Sequence, residues 1–313
     1  MKKKYILLIA ALTIIVAVVV VYFTFPDVVS KLMLKAERSN AGLQQHSITV
    51  DGLHIEYLEG GQGDVILLLH GFGANKDNWT RISKHFTPHY RVIAPDLPGF
   101  GESSRQSDAN YTIAAQADRV NAFVRALGIK RFHLGGSSMG GNIAGVYAAQ
   151  HPENVISLWL LAPGGVASAD PSEMKKELDA GKSNPLVVES VEDYNRLLDF
   201  VFVKKPFIPG PMLNQLAKDA IRNRPLNQKI FKQISVAGKT TDLESALNGS
   251  VVPTLIVWGA NDRVLHYSGA KILESVMPQA QVAIMEGVGH LPMIEKPEET
   301  AEIYLSFPRQ KKN

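Results

Sequence analysis

One serine in this chain stands where a nucleophile would. Gly136-Ser137-Ser138-Met139-Gly140 lies between a short buried run, Arg131 to Gly135, and a stretch rich in small residues, Gly141 to Ala149. A G-x-S-x-G between a strand and a helix forces the serine onto a sharp, strained turn, and the flanking glycines let strand and helix pass close together. The hydroxyl is lifted clear of the sheet, and the amide of the next residue, Met139, points at the same place. Only the frame centred on Ser138 has glycine at both outer positions, so Ser137 reads as a packing residue.

Such a serine needs a base, and the base needs an orienting acid. On an elbow of this kind the partners follow in the order serine, acid, histidine. Three histidines lie beyond Ser138. His151 ends the helix after the elbow, too close in sequence to fold back. His266 leads into a helix. His290 follows the last expected strand in Glu286-Gly287-Val288-Gly289-His290, where two glycines allow a turn over the strand ends. The acid is expected just past the preceding strand, and Asp262 stands there after Thr254–Trp258. The loop Ala162-Pro163-Gly164-Gly165 offers no carboxylate. Acyl transfer also needs donors for a developing oxyanion. The Met139 amide is one. The Phe72 amide in His70-Gly71-Phe72-Gly73 is the other. His70 is a rival base, but its place directly after a buried strand suits a structural role.

These side chains need a sheet to carry them. Ile48, Val50, Leu53, Ile55 and Tyr57 alternate around Asp51-Gly52 and read as a hairpin. Val65–Leu69 is continuously apolar, as in a strand covered on both faces. Strand-like runs recur at 91–95, 131–135, 155–161, 254–258 and 281–285. Helical stretches separate them at 75–86, 111–127, 139–150, 268–277 and 297–305. This alternation predicts an α/β fold with a mostly parallel, eight-stranded sheet flanked by helices. From Gly164 to about Ser250 no strand is expected. Short helices broken by Pro185, Pro206, Pro209, Pro211 and Pro225 fill the gap, and such an insertion reads as a helical cap over the strand ends.

The ends of the chain carry a different signal. Tyr5 to Phe25 is a run of 21 residues without a charge, about 31 Å long as a helix. It ends in bulky residues where a signal-peptide cleavage site wants small ones, which favours an uncleaved transmembrane anchor. Lys2, Lys3 and Lys4 precede it, while Lys31, Lys35 and Arg38 follow, so the charge bias toward an outward catalytic domain is slight. The expected organisation is therefore an anchor over residues 1–25, a short helix or linker over 26–46, a first core segment over 47–163, a cap over 164–250 and a second core segment over 251–313. The expected location is a bacterial inner membrane with the catalytic part on the periplasmic side, or outside the cell if the segment is cleaved. The net charge of +3 gives no argument for nucleic acid, and the absence of cysteine removes disulfides, thiol nucleophiles and thiolate metal sites.

His70-Gly71-Phe72-Gly73, Asp96-Leu97-Pro98-Gly99-Phe100-Gly101-Glu102-Ser103-Ser104, the Ser138 elbow, Trp258-Gly259-Ala260-Asn261-Asp262 and Gly287-Val288-Gly289-His290 together resemble the α/β-hydrolase superfamily. The segment Gly71 to Trp79 resembles more narrowly its single-chain bacterial lipases and membrane-anchored monoacylglycerol lipases. The resemblance runs from about Ser47 to Phe307. It implies the α/β-hydrolase fold, triad roles for Ser138, Asp262 and His290, oxyanion donation by Phe72 and Met139, a structural Asp96, no cofactor and no metal. It also implies an acyl ester or lipid substrate and agrees with membrane attachment through the N-terminal segment. Carbon–carbon bond hydrolases of the same fold are the alternative. They would want cationic groups in the cap, where Lys204, Lys205, Arg222 and Arg224 lie. Acyl transfer to another alcohol and a non-catalytic binding role are the remaining readings.

Overall fold

A computed structural model describes residues 2–235 and 242–307. The chain opens with helices α1 (Lys2–Thr24) and α2 (Pro26–Asn40). The hairpin follows as β1 (Leu43–Val50) and β2 (Leu53–Gly60). Its turn residues Asp51 and Gly52 both have positive φ, 49° and 77°, as a tight D-G turn matching strand twist requires. The alternation then begins: β3 (Val65–Leu69), α3 (Thr80–Ser83), β4 (Arg91–Pro95), α4 (Ile113–Ala126), β5 (Phe132–Ser137), α5 (Met139–Gln150) and β6 (Val155–Leu161). Five helices come next: α6 (Glu173–Asp179), α7 (Val191–Val201), α8 (Gly210–Arg222), α9 (Arg224–Ile234) and α10 (Leu243–Leu247). The chain returns to the sheet as β7 (Thr254–Gly259), α11 (Ser268–Val276), β8 (Ala280–Met285), α12 (Pro292–Glu295) and α13 (Pro297–Ser306).

The sheet has eight strands in the order β1-β2-β4-β3-β5-β6-β7-β8. β2 runs antiparallel to both its neighbours, and every pairing from β4 to β8 is parallel. This is the α/β-hydrolase fold. Because helices cover both faces, β3 and β5 to β7 are buried almost throughout. One apolar layer unites α4 and α5 with one face of the sheet, and a second gathers Trp79, Phe86, Trp159 and Tyr304 on the other. The parallel strands share one carboxyl edge. Ser138 follows directly on β5 (Phe132–Ser137), and Asp262 and His290 lie in the loops after β7 (Thr254–Gly259) and β8 (Ala280–Met285) at that edge.

Three features depart from the expected pattern. The first strand begins at Leu43, and residues 26–40 form a continuous helix. The helix expected over 75–86 is instead a 3-10 turn, Lys76–Trp79, followed by the four-residue α3. The side chain of Asn75 accepts the Asp77 amide at 2.9 Å, which commits this segment to a turn before a helix can start. The third concerns the N-terminus. Among the described residues no helix is long and apolar enough to cross a membrane, so the structure gives no support to the single-pass span expected over Tyr5–Phe25. Within α1, the side chains at 2, 8, 14, 15 and 17–19 lie outside the described residues.

Candidate active site

Ser138 occupies the turn between β5 and α5 with φ 55° and ψ −118°. For a side-chain-bearing residue such a conformation costs of order 1–3 kcal/mol and persists only where the surroundings enforce it. Backbone contacts do so here. The Ser138 amide donates to the Leu161 carbonyl at 3.0 Å, and its own carbonyl accepts from Asn142 and Gly164, each at 3.0 Å. Both outer glycines are required by close approach. A Cβ at Gly136 would stand 2.2 Å from the Gly140 carbonyl oxygen, and one at Gly140 would stand 2.2 Å from that of Leu69. Ser138 is half-buried, whereas Ser137 is wholly buried. Only the former is open to a substrate.

The acid and the base meet. His290 Nδ1 lies 2.7 Å from Asp262 Oδ2, in a pair whose side chains are 5% and 0% exposed. The Asp262 carboxylate is saturated with donors. Oδ1 accepts the amides of Val264 and Leu265 at 2.8 and 3.0 Å, and Oδ2 also accepts the indole N–H of Trp258 at 3.0 Å. A carboxylate can only accept here, so His290 carries its proton on Nδ1 and leaves Nε2 as the acceptor. The base loop is fixed from the inserted helices. The His290 amide donates to the Val201 carbonyl at 2.8 Å. Glu295 accepts the Gly289 amide at 2.9 Å and the Lys204 amide at 2.6 Å. Sequence reasoning did not single out Trp258, Val201 or Glu295 for these roles. The first two act through an indole N–H or a backbone carbonyl near the strand ends, and only the fold brings them to the loop.

The loop after β3 faces the elbow. A Cβ on Gly71 would lie 3.2 Å from the Ser138 Cβ, so glycine keeps the Phe72 segment against the serine. The Phe72 ring packs edge-on against Phe100 at 5.9 Å and against Phe231 of α9 at 5.3 Å. Met139 opens α5, where first-turn amides have no partner within the helix. His70 is not placed as a base. Its Nε2 accepts the Leu97 amide at 3.0 Å, which obliges Nδ1 to carry the proton toward the Gly71 carbonyl at 2.8 Å. The ring thus staples the Phe72 loop to the Asp96 loop. Asp96 is structural as expected. Its two oxygens take the Lys76 amide, the Lys76 ammonium and the Glu102 amide, each at 2.7 Å. Burial works against the Lys76 charge, but Asp96 and Glu102 outweigh it and hold its pKa above the usual value. A cavity of about 550 Å³ opens beyond the acid loop, with Asp262, Arg263, Phe202 and Val203 among its walls; Ser138 and His290 do not line it.

His70 makes a testable contribution to stability. Burial lowers its pKa, against the smaller opposing pull of Asp96 and the Gly71 carbonyl. The unfolded chain therefore takes up this proton before the folded one does. The associated stability is present above the ordinary histidine pKa, about 6.5, and is lost as the pH falls below it. The thermal midpoint is expected to drop between pH 7 and 5, with a shallower slope in His70→Asn. Equal slopes would assign the acid loss to other groups.

Comparison with known proteins bears on this geometry. The family described as alpha/beta hydrolase fold matches residues 64–297. Lipase 1 of Psychrobacter immobilis is 39% identical over 281 residues, covering 88% of this chain and 87% of that one. Monoacylglycerol lipase abhd6-B of Xenopus laevis is 35% identical over 253 residues, covering 77% and 74%. Among solved structures, a membrane phospholipase A described as a bacterial virulence factor superposes with a TM-score of 0.88 at 45% identity, over 97% of each chain.

Proposed function

We propose a lipase function on the premise that this chain belongs to the alpha/beta hydrolase fold family. It is a carboxylic ester hydrolase, and its substrates are lipid esters, with monoacylglycerols as the proposed class because the 35% identical Xenopus laevis relative is named a monoacylglycerol lipase. Ser138 Oγ attacks the ester carbonyl while His290 Nε2 takes its proton. The oxyanion that forms is held by the amides of Phe72 and Met139. Collapse of this intermediate expels the alcohol, protonated by His290, and leaves an acyl group on Ser138. Water, deprotonated by the same imidazole, then releases the carboxylic acid. Asp262 holds the ring and stabilises its charged form. Each step is carried by these side chains and amides, with no call for a cofactor or a metal. The observation that carries the reading is the buried His290–Asp262 pair, in which every carboxylate lone pair is engaged.

The helices between β6 and β7 act as the cap over this edge. The carbon–carbon hydrolase alternative needs cationic groups free to hold an acidic substrate. Of Lys204, Lys205, Arg222 and Arg224, three are already paired: Lys205 with Asp199 at 2.5 Å, Arg222 with Asp219 at 2.6 Å, and Arg224 with Glu189. That observation favours the ester reading. A panel of p-nitrophenyl esters of graded chain length, a monoacylglycerol and a vinylogous diketone tests it. Ester turnover without diketone cleavage is expected; the reverse would move the protein to the other chemistry.

The finer location is also part of the proposal. α1 holds the enzyme to a bilayer, with the catalytic part on the periplasmic face of a bacterial inner membrane. Support comes from the uncharged run Tyr5–Phe25, from the exposed apolar side chains Tyr5, Ile6, Leu7, Ile9, Leu12 and Phe23, and from the 45% identical relative described as a membrane phospholipase. The full-length protein is expected to pellet with membranes and to resist alkaline carbonate, because apolar burial is not screened by ions. Recovery in the supernatant, or a mature N-terminus trimmed after residue 25, would remove the anchor from the account.

A further inference from the structure

The family match begins at residue 64, yet one foot of the Phe72 loop is gripped from outside it. Arg38, near the end of α2, forks onto Asp77: Nε donates to Oδ1 at 2.6 Å and Nη2 to Oδ2 at 2.7 Å. The two side chains are only 13% and 14% exposed, so water competes weakly for this bidentate pair. The remaining arm of the guanidinium, Nη1, donates to Gln45 Oε1. Gln45 Nε2 donates to Glu102 Oε2 at 3.0 Å and to Glu56 Oε2 at 2.7 Å. Glu102 also accepts from the Lys76 ammonium at 2.7 Å, and Lys76 is the chain neighbour of Asp77. The contacts close into a ring that runs from Arg38 through Asp77, Lys76, Glu102 and Gln45 back to Arg38.

Two members of this ring, Lys76 and Asp77, stand directly after the Phe72 loop in the chain. His70 fixes the start of the loop by bonding the Leu97 amide and the Gly71 carbonyl. Asn75, Lys76 and Asp77 fix its end, through the Asn75 turn, the Asp96 carboxylate and the Arg38 fork. Between the two feet lie only Gly71, Phe72, Gly73 and Ala74. A displacement of Asp77 therefore has a short path to the Phe72 amide.

We propose that Arg38 is a positioning residue for the oxyanion hole: by holding Asp77 it sets where the Phe72 amide stands, so that a helix ahead of the hydrolase core takes part in the reaction. This rests on the reading of Phe72 as an oxyanion donor. An amide aimed at charge that develops only in the transition state acts on kcat rather than on substrate binding. Loss of Arg38 accordingly lowers turnover and leaves KM nearly unchanged.

The test compares full-length wild type, Arg38→Ala, Arg38→Lys and Arg81→Ala on p-nitrophenyl butyrate. Arg81 is the control for α2 docking, because it donates to Glu37 at 3.2 Å and to the Phe207 carbonyl at 2.9 Å and takes no part in the ring. Arg38→Ala is expected to lower kcat about 10-fold, less than the roughly 10²–10³-fold cost of deleting a donor outright, with KM within about 2-fold of wild type. Arg38→Lys keeps the charge without the fork and falls between the two. In an Asp77→Asn background, Arg38→Ala adds little further loss, since the pair acts as a unit. If Arg38→Ala does not fold, the kcat of Arg38→Lys decides the matter. Unchanged kcat, a loss confined to KM, or an equal loss in Arg81→Ala overturns the proposal. Failure of the functional reading would show separately, as a wild type that turns over no ester.

Discussion

Ser138→Ala is expected to lose ester hydrolysis by about 10⁴-fold or more while the fold persists, because removal of one member disables the whole hydrolytic unit. The side chain that is lost is small and half-buried. The elbow itself is held by backbone contacts to Leu161, Asn142 and Gly164, none of which needs the hydroxyl. Ser137→Ala removes a buried hydroxyl next door and should cost far less. The comparison is read from kcat/KM on a soluble ester, with circular dichroism as the check on folding. Equal losses in the two variants would mean that the elbow had collapsed, and a nearly active Ser138→Ala would place the nucleophile elsewhere.

Asp262→Asn should cut the rate by about 10⁴-fold, for a reason visible in the donor count. The carboxylate accepts from four N–H groups: two backbone amides on Oδ1, the indole and the imidazole on Oδ2. An asparagine must turn its NH₂ toward one pair or the other. Facing Val264 and Leu265, it opposes two amide donors. Facing Trp258 and His290, it opposes the indole and obliges the imidazole to move its proton from Nδ1 to Nε2, where the serine proton has to go. The first outcome breaks the backbone bonds that fix the acid loop and removes the charge that stabilises the imidazolium; the second takes the acceptor nitrogen away from the serine. Ser138 should still react with a fluorophosphonate, but slowly. Activity near wild type would mean that another carboxylate orients His290.

Most of the fold was legible because its signals are local. Continuous apolar runs marked the buried strands, Asp51-Gly52 marked the hairpin, and proline-broken helices marked the insertion before β7. The elbow was legible for the same reason: Gly136 and Gly140 are needed where backbones touch, and their spacing reports that contact directly. Other parts were hidden because they depend on long-range pairing. The turn at Lys76 replaced an expected helix because Asn75 accepts the Asp77 amide locally while Lys76 and Asp77 are taken up by Asp96, Glu102 and Arg38 outside that segment. Arg38 meets Asp77 across 39 residues of chain, and no spacing rule announces such a pair. The N-terminal segment shows the opposite case. Its composition spoke strongly for a bilayer span, while the described part of α1 does not carry that reading.

Labelling by a fluorophosphonate, followed by peptide mapping, tests the central claim most directly. The probe reacts with a serine only where a base and oxyanion donors already serve it. A single stoichiometric adduct is predicted on the peptide bearing Ser138, absent in Ser138→Ala and slowed in Asp262→Asn. An adduct on any other residue, or one that survives Ser138→Ala, would contradict the account.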